Sequence, residues 1–394
     1  MKNFIIPRLP LTHLTLSLAA CFFVFPSCDD ISREEVLSQT GTSDSEVILQ
    51  VSPESVARML SALPLTLDQV REVWDGVNAS CANGYDEEYT FADMFSSPGQ
   101  GVGDKALGTR SMTEYPEPFR DLISAHFSGY PATRSSGFSD DLFSSGLQIY
   151  WPYSEDWDKI SMPVITFCPE IALESNVAYQ REELPGGKWI VKEIPVDEEY
   201  ARKHPVWVVG WNENVGAMTP QMLEKLRPEA SVTRASTDFK TLKLKEFKAH
   251  VQYDPWYSGG AEFFIKCGSL KAFTATVASD LSKYTPEITD LMIKVKRKQV
   301  MTSLRYNTVL VPEWSPQLSE CVFLIHEDDG GKSTTWKANG EVKIKSKAYG
   351  FSVELPYHRN DDIVWRGKLS SSYFEKNNGV PNRYGDVSIT FVFN

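Results

Sequence analysis

The chain has 394 residues, 52 acidic against 40 basic side chains, and a formal net charge of −12. That balance works against nucleic acid and anionic headgroups as partners, because both would repel it. Hydrophobic residues make up 42% and aromatics 12%, which describes a globular chain long enough for two or three domains rather than a disordered one.

In chain order, the first element is not a fold element. Lys2 and Arg8 are the only charges before an apolar run from Leu14 through Phe25, which ends at Phe25-Pro26-Ser27-Cys28 and gives way to Asp29-Asp30. A positive start, a short apolar stretch and a small residue before a cut site define an export signal. The run is shorter than the roughly 20 residues that a membrane-spanning helix needs. The pattern resembles bacterial lipoprotein precursors, in which the cysteine after the cut carries the lipid. Two cysteines fit. Leu18-Ala19-Ala20-Cys21 is the better local match, but Phe22-Phe23-Val24-Phe25 continues the apolar run beyond it. Cys28 opens directly onto a polar tether and is the expected lipidation site, with Cys21 as the alternative. The acidic pairs Asp29-Asp30 and Glu34-Glu35 resemble the tethers of uncharacterised surface lipoproteins in Bacteroidota. The resemblance implies an outer-membrane, lipid-anchored protein facing the cell surface.

Residues 28–45 read as a flexible acidic tether. Residues 46–135 read as helix-rich. Ser52 is placed to cap a helix with Pro53 in its first turn, and Val56, Met59 and Leu60 form its apolar face. Pro64 ends it. Thr66 caps a second helix, with Leu67, Val70, Val73, Trp74 and Val77 at helical spacing. Residues 96–113 are rich in Gly and Ser and read as a loop, and Glu117-Pro118-Phe119 opens a short helix.

Residues 136–235 read as a β-rich middle domain. Leu147, Ile149, Trp151 and Tyr153 alternate, and Val164–Phe167, Trp189–Val191 and Val206–Val209 are further strands. Residues 236–394 read as an antiparallel β-sandwich, with strands expected at 242–253, 262–267, 291–300, 306–311, 321–326, 341–346, 351–355 and 387–393. The fold class is therefore α+β and β-rich: a short N-terminal helical region, a mixed middle part and a C-terminal sandwich. Charge divides at the same place. From Asp29 to Ala235 there are 34 acidic against 16 basic residues; from Ser236 onward there are 18 against 22.

Chemistry-bearing residues are sparse. No HExxH, GxSxG or CxxC occurs, and Gly330-Gly331-Lys332-Ser333 lacks the leading glycine of a phosphate loop, since His326 stands there. Trp151, Tyr153 and Trp157 with Asp156 and Asp158 combine flat apolar rings and carboxylates, a mixture suited to a glycan or a protein ligand. The same rings fit the core equally well. Acidic clusters at Asp86-Glu87-Glu88, Glu155-Asp156-Asp158, Glu327-Asp328-Asp329 and Asp361-Asp362 suit calcium, which prefers carboxylate oxygens. Of these, Glu327, Asp328, Asp329, Asp361 and Asp362 are the expected two-loop site; otherwise no cofactor is implied. His326 and His358 stand beside these acids and offer acid–base chemistry to a hydrolase. Lys294, Lys296 and Lys298 form a basic stripe suited to an acidic ligand or to the chain's own acidic part, and Lys343, Lys345 and Lys347 form a second. Cys267 and Cys321 are the expected disulfide pair in an exported protein. The leading expectation is a binding protein held to the membrane by lipid, with a glycan or envelope protein as partner. The alternatives are an exported hydrolase and a structural subunit that offers the strand 387–393 as an edge.

Overall fold

The computed structural model describes residues 51–95, 115–128, 138–226 without 139, 143, 172, 214 and 215, and 238–394. The expected export signal, Cys21, Cys28, the expected tether and the loop expected from 96 lie outside the described residues.

Helix α1 (Pro53–Ala62) begins as its sequence dictates. The Ser52 hydroxyl accepts from Ser55 N at 3.2 Å, and Ser55 Oγ accepts from Ser52 N at 2.9 Å. Helix α2 (Leu67–Ala82) is capped from within its first turn, with Gln69 Oε1 accepting from Thr66 N at 2.8 Å and from the Thr66 hydroxyl. Both helices lie on one face of a six-stranded sheet. Its strands are β1 (Glu88–Thr90), β2 (Leu147–Tyr150), β3 (Val164–Phe167), β4 (Ser175–Leu184), β5 (Lys188–Asp197) and β6 (Val206–Trp211), in the order β1-β2-β6-β3-β4-β5. Strand β1 comes from the segment expected to be helix-rich, so residues 46–135 and 136–235 build one layered structure rather than two domains.

The two faces of this sheet are both covered. Trp207, Val209, Leu147, Ile149 and Tyr179 face the helices; Tyr150, Ala178, Val206 and Val208 pack with Trp256 and Tyr257 from beyond residue 250. Double coverage explains why β6 reads Val-Trp-Val-Val without alternation.

The last third is a sandwich, as its strand-and-turn pattern predicts. One sheet is β10-β7-β16-β15, built from β7 (Lys240–Ala249), β10 (Leu304–Trp314), β15 (Pro381–Tyr384) and β16 (Val387–Phe393). The other is β13-β12-β11-β8-β9, from β8 (Ala261–Ser269), β9 (Glu287–Val295), β11 (Leu318–Glu327), β12 (Ser333–Ile344) and β13 (Lys347–His358), with β14 (Asp362–Ser370) also pairing β11. Phe247 meets Phe263 across the core at 5.3 Å, and Phe323 meets Phe391 at 5.6 Å. Strand β16 is flanked by β7 and β15. It is not the free edge that a strand-donating subunit would need.

From Asp44 onward the chain forms one compact unit. The expected boundary near 235 is a change of architecture and charge within that unit.

Cys267 and Cys321 are both buried and free. Cys267 is level with Phe323, so Cys321 stands one pleat away on the diagonal. The two thiols interact across the strands but carry no bond. The expected bridge is absent.

Candidate functional site

The aromatic–acidic segment is structural. Strand β2 stops at Tyr150, and Tyr153 takes a left-handed backbone with φ of 60°. That turn breaks the alternation: Trp151 goes to the helix side and Tyr153 to the opposite side. Trp151, Tyr153 and Trp157 are all buried. Asp158 is used locally, accepting from Ile160 N at 2.9 Å and Ser161 N at 2.7 Å. Asp156 pairs with Lys298. Buried rings and committed carboxylates cannot form a glycan platform, so this expectation is corrected.

The basic stripe meets the chain's own acidic part. Lys294 contacts Asp86, with Nζ 3.3 Å from Oδ2, and pairs with Glu262. Beyond it β9 ends, and a short turn, Arg297–Gln299, carries the remaining charges. Lys296 lies 3.8 Å from Glu87, and Lys298 lies 3.4 Å from Glu155. Arg297 donates to Glu198 through Nε at 2.9 Å and Nη2 at 3.1 Å, and to the Asp254 carbonyl at 2.8 Å. Burial opposes the charge on Glu198, but Arg297, Tyr153 and Arg202 hold its carboxyl down to about 2. Glu87 is the converse: burial, together with Glu155 alongside, pushes it up to about 9. Lys343, Lys345 and Lys347 belong to the β12–β13 hairpin, which does not pair with β9. The two stripes do not merge.

The carboxylates expected to bind calcium separate into two groups, because successive residues of a strand face opposite sides. Glu327 is the last residue of β11, level with Phe263 of β8 and Asp362 of β14. It turns toward Asp254 and Glu262, and one oxygen from each of the three lies within 4.8 Å of the others. Glu327 is fully buried, and neither of its oxygens has an N–H or hydroxyl donor among the described residues; Oδ2 of Asp254 also has none. Asp86 stands on the far side of Lys294 and accepts from Gly260 N at 2.8 Å. Burial, reinforced by Asp254 and Asp329, pushes Glu327 up to about 10. Burial raises Asp254 to about 6, with Lys294 opposing.

The second group joins Asp328, His358 and Asp361. His358 Nδ1 is 2.9 Å from Asp328 Oδ1. Asp361 accepts from His358 N at 2.7 Å and Asp329 N at 3.2 Å, so its carboxylate ties two loops together. His326 stacks on Phe264 at 5.2 Å, with Nδ1 2.7 Å from Asp361 Oδ2. Burial, then Lys266, lowers His326 to about 4, so the ring is neutral at physiological pH. Asp329 and Asp362 face solvent and enter neither group.

A protonated Glu327 beside an ionised Asp254 has the charge state of an acid–base pair. Its complete burial keeps substrate away, which argues against the hydrolase reading. Asp254 and Glu262 are the members that sequence reasoning missed. The available signal was a charge inside an apolar run, as in Ala261-Glu262-Phe263-Phe264 and Met292-Ile293-Lys294-Val295. Only the register of β8, β9 and β11 brings those charges together. Comparison with family models, characterised proteins and solved structures finds no match to this chain.

Proposed function

We propose that this protein is exported, held by lipid at Cys28 on the outer membrane facing the cell surface, and binds a protein of the envelope without catalysing a reaction. The observation that carries the binding role is an exposed apolar group at one end of the first sheet. There β3 and β6 finish and β4 begins, and Ile171 is 76% exposed, Leu173 47%, Val177 40% and Trp211 51%. A half-exposed tryptophan among exposed aliphatics is the composition of a protein-binding surface rather than of a sugar platform. The address rests on the N-terminal signal and its resemblance to lipoprotein precursors.

Two experiments test the two parts. Incorporation of labelled palmitate in cells is expected to vanish with Cys28→Ala and survive Cys21→Ala, and protease added to intact cells is expected to cut the protein. A photo-crosslinking amino acid at position 211 is expected to trap one defined envelope protein, and the same group at position 337, on the distant hairpin, is expected not to. An unchanged crosslinking pattern between the two positions would remove the proposed surface.

A further inference from the structure

We infer that Asp254, Glu262 and Glu327 form a binding site for one divalent cation of the calcium class. Asp86, Asp254, Glu262 and Glu327 surround Lys294, four carboxyl groups against one ammonium. Asp86, Glu262, Glu327 and Lys294 are at most 7% exposed. Lys294 engages Asp86 and Glu262, and Asp86 has a further donor in Gly260 N. Glu327 faces only another carboxyl group: it is fully buried, aimed into the cluster beside Asp254, and receives no N–H or hydroxyl donor among the described residues. Asp254 Oδ2 points to the same deficit. Facing buried carboxyl groups either share a proton or coordinate a metal, because desolvating an unpaired charge is prohibitively unfavourable.

The donor set selects the ion. Three carboxylates with no nitrogen or sulfur suit a hard cation and not zinc. Oxygens on opposite sides of a calcium ion are separated by about 5 Å, and of magnesium by about 4 Å. Oxygens within 4.8 Å of one another suit either ion, and magnesium is the less favoured because it gives up its water reluctantly. The ligands also come from three segments: the loop after β7, the start of β8 and the end of β11. One ion there would fasten the loop whose Trp256 and Tyr257 cover the first sheet and whose Asp254 carbonyl receives Arg297. This site differs from the two-loop grouping of Glu327, Asp328, Asp329, Asp361 and Asp362 suggested by the sequence, of which only Glu327 remains. It is independent of the binding role proposed above.

The test uses the purified protein, stripped with a chelator and titrated with CaCl2 or MgCl2 in calorimetry and thermal melts. Extracellular calcium modules bind in the range of about 0.1–1 mM, so ~10 mM calcium is expected to saturate the site at one ion per chain and raise Tm by about 2 °C or more, with magnesium less effective. The shift is expected to disappear in Glu327→Gln and persist in Asp328→Asn, which alters only the second group. Should Glu327→Gln fail to fold, Asp254→Asn carries the same expectation, and terbium luminescence sensitised by the neighbouring aromatic rings reads binding directly in the unmodified protein. Absence of heat, luminescence and Tm shift at ~10 mM calcium overturns the inference, as does a shift unchanged in Glu327→Gln or lost instead in Asp328→Asn.

Discussion

Replacing Arg297 with Met tests whether the junction between the acidic and basic parts of the chain is held by specific charge pairs. The substitution keeps an apolar stem and removes three hydrogen bonds: two to Glu198, at 2.9 and 3.1 Å, and one to the Asp254 carbonyl at 2.8 Å. A hydrogen bond to a charged group contributes about 1.5–3 kcal/mol when shielded. The side chains of Arg297 and Glu198 are 16% and 29% exposed, so solvent screens the pair in part and about 2 kcal/mol is reasonable for both bonds together. The stranded Asp254 carbonyl adds about 1 kcal/mol, giving about 3 kcal/mol for Arg297→Met. A double-mutant cycle with Glu198→Gln, read by urea unfolding at neutral pH, isolates the pair and is expected to return about 2 kcal/mol of coupling. The pH sign follows from Glu198 being held down to about 2 against an ordinary 4.5. Its contribution is fully present above pH ~4.5 and is lost as pH falls toward ~2, so the coupling should fade over that interval. A coupling below ~0.5 kcal/mol at neutral pH would refute the reasoning and reduce the junction to shape complementarity.

Three further outcomes are expected. Glu87, raised to about 9 from an ordinary 4.5, holds a proton in the folded protein that the unfolded chain releases, so its contribution is present below pH ~4.5 and lost as pH rises toward ~9. Glu87→Gln should flatten the decline of Tm with pH across that window, where one such group contributes at most about 1.4 kcal/mol per pH unit; an unaltered profile would deny that Glu87 carries the proton. Gly259 has a φ of +111°, and a Cβ there would lie 2.5 Å from Asp86 Oδ2, an atom held by Gly260 N and Lys294. Gly259→Ala should therefore destabilise by about 3 kcal/mol, and Gly187→Ala, at a positive φ but in open space, by about 1 kcal/mol, measured by chemical denaturation. Cys267 and Cys321 should both take a thiol label once the protein is unfolded without reductant and resist it when folded, as burial drives the Cys321 thiol well above its ordinary range; label uptake that requires reductant would mean a bridge.

Legibility in the sequence followed the range of the interactions. Ser52, Pro53 and Thr66 announce their helices because capping is settled within four residues. Strand β16 occupies the expected residues 387–393, since its apolar run follows directly on the turn at Gly385-Asp386. Strand β14 escaped because Ile363-Val364-Trp365 does not alternate and Arg366, Gly367 and Lys368 follow. Strand β9 begins four residues before its expected start and ends at Val295, because Lys296 to Gln299 turn away to meet the acidic part. Within the candidate site, Glu327 and Asp328 were legible as acids, but not the fact that they serve different groups. That depends on which face of β11 each takes, and on Glu262 and Lys294 being level across β8 and β9.

The two charged regions are mechanically one. Asp254 contributes its carbonyl to Arg297 and its carboxylate to Glu262 and Glu327; Asp86 reaches Lys294 while its neighbour Glu87 faces Lys296. Any change of charge in the cluster therefore acts on the same loop that closes the first sheet with Trp256 and Tyr257. Asp86, Glu87, Glu155, Asp156 and Glu198 of the acidic part and the basic cluster at 294–298 are then two sides of one intramolecular contact. What stays exposed where β3 and β6 finish and β4 begins is apolar: Trp211, Ile171, Leu173 and Val177.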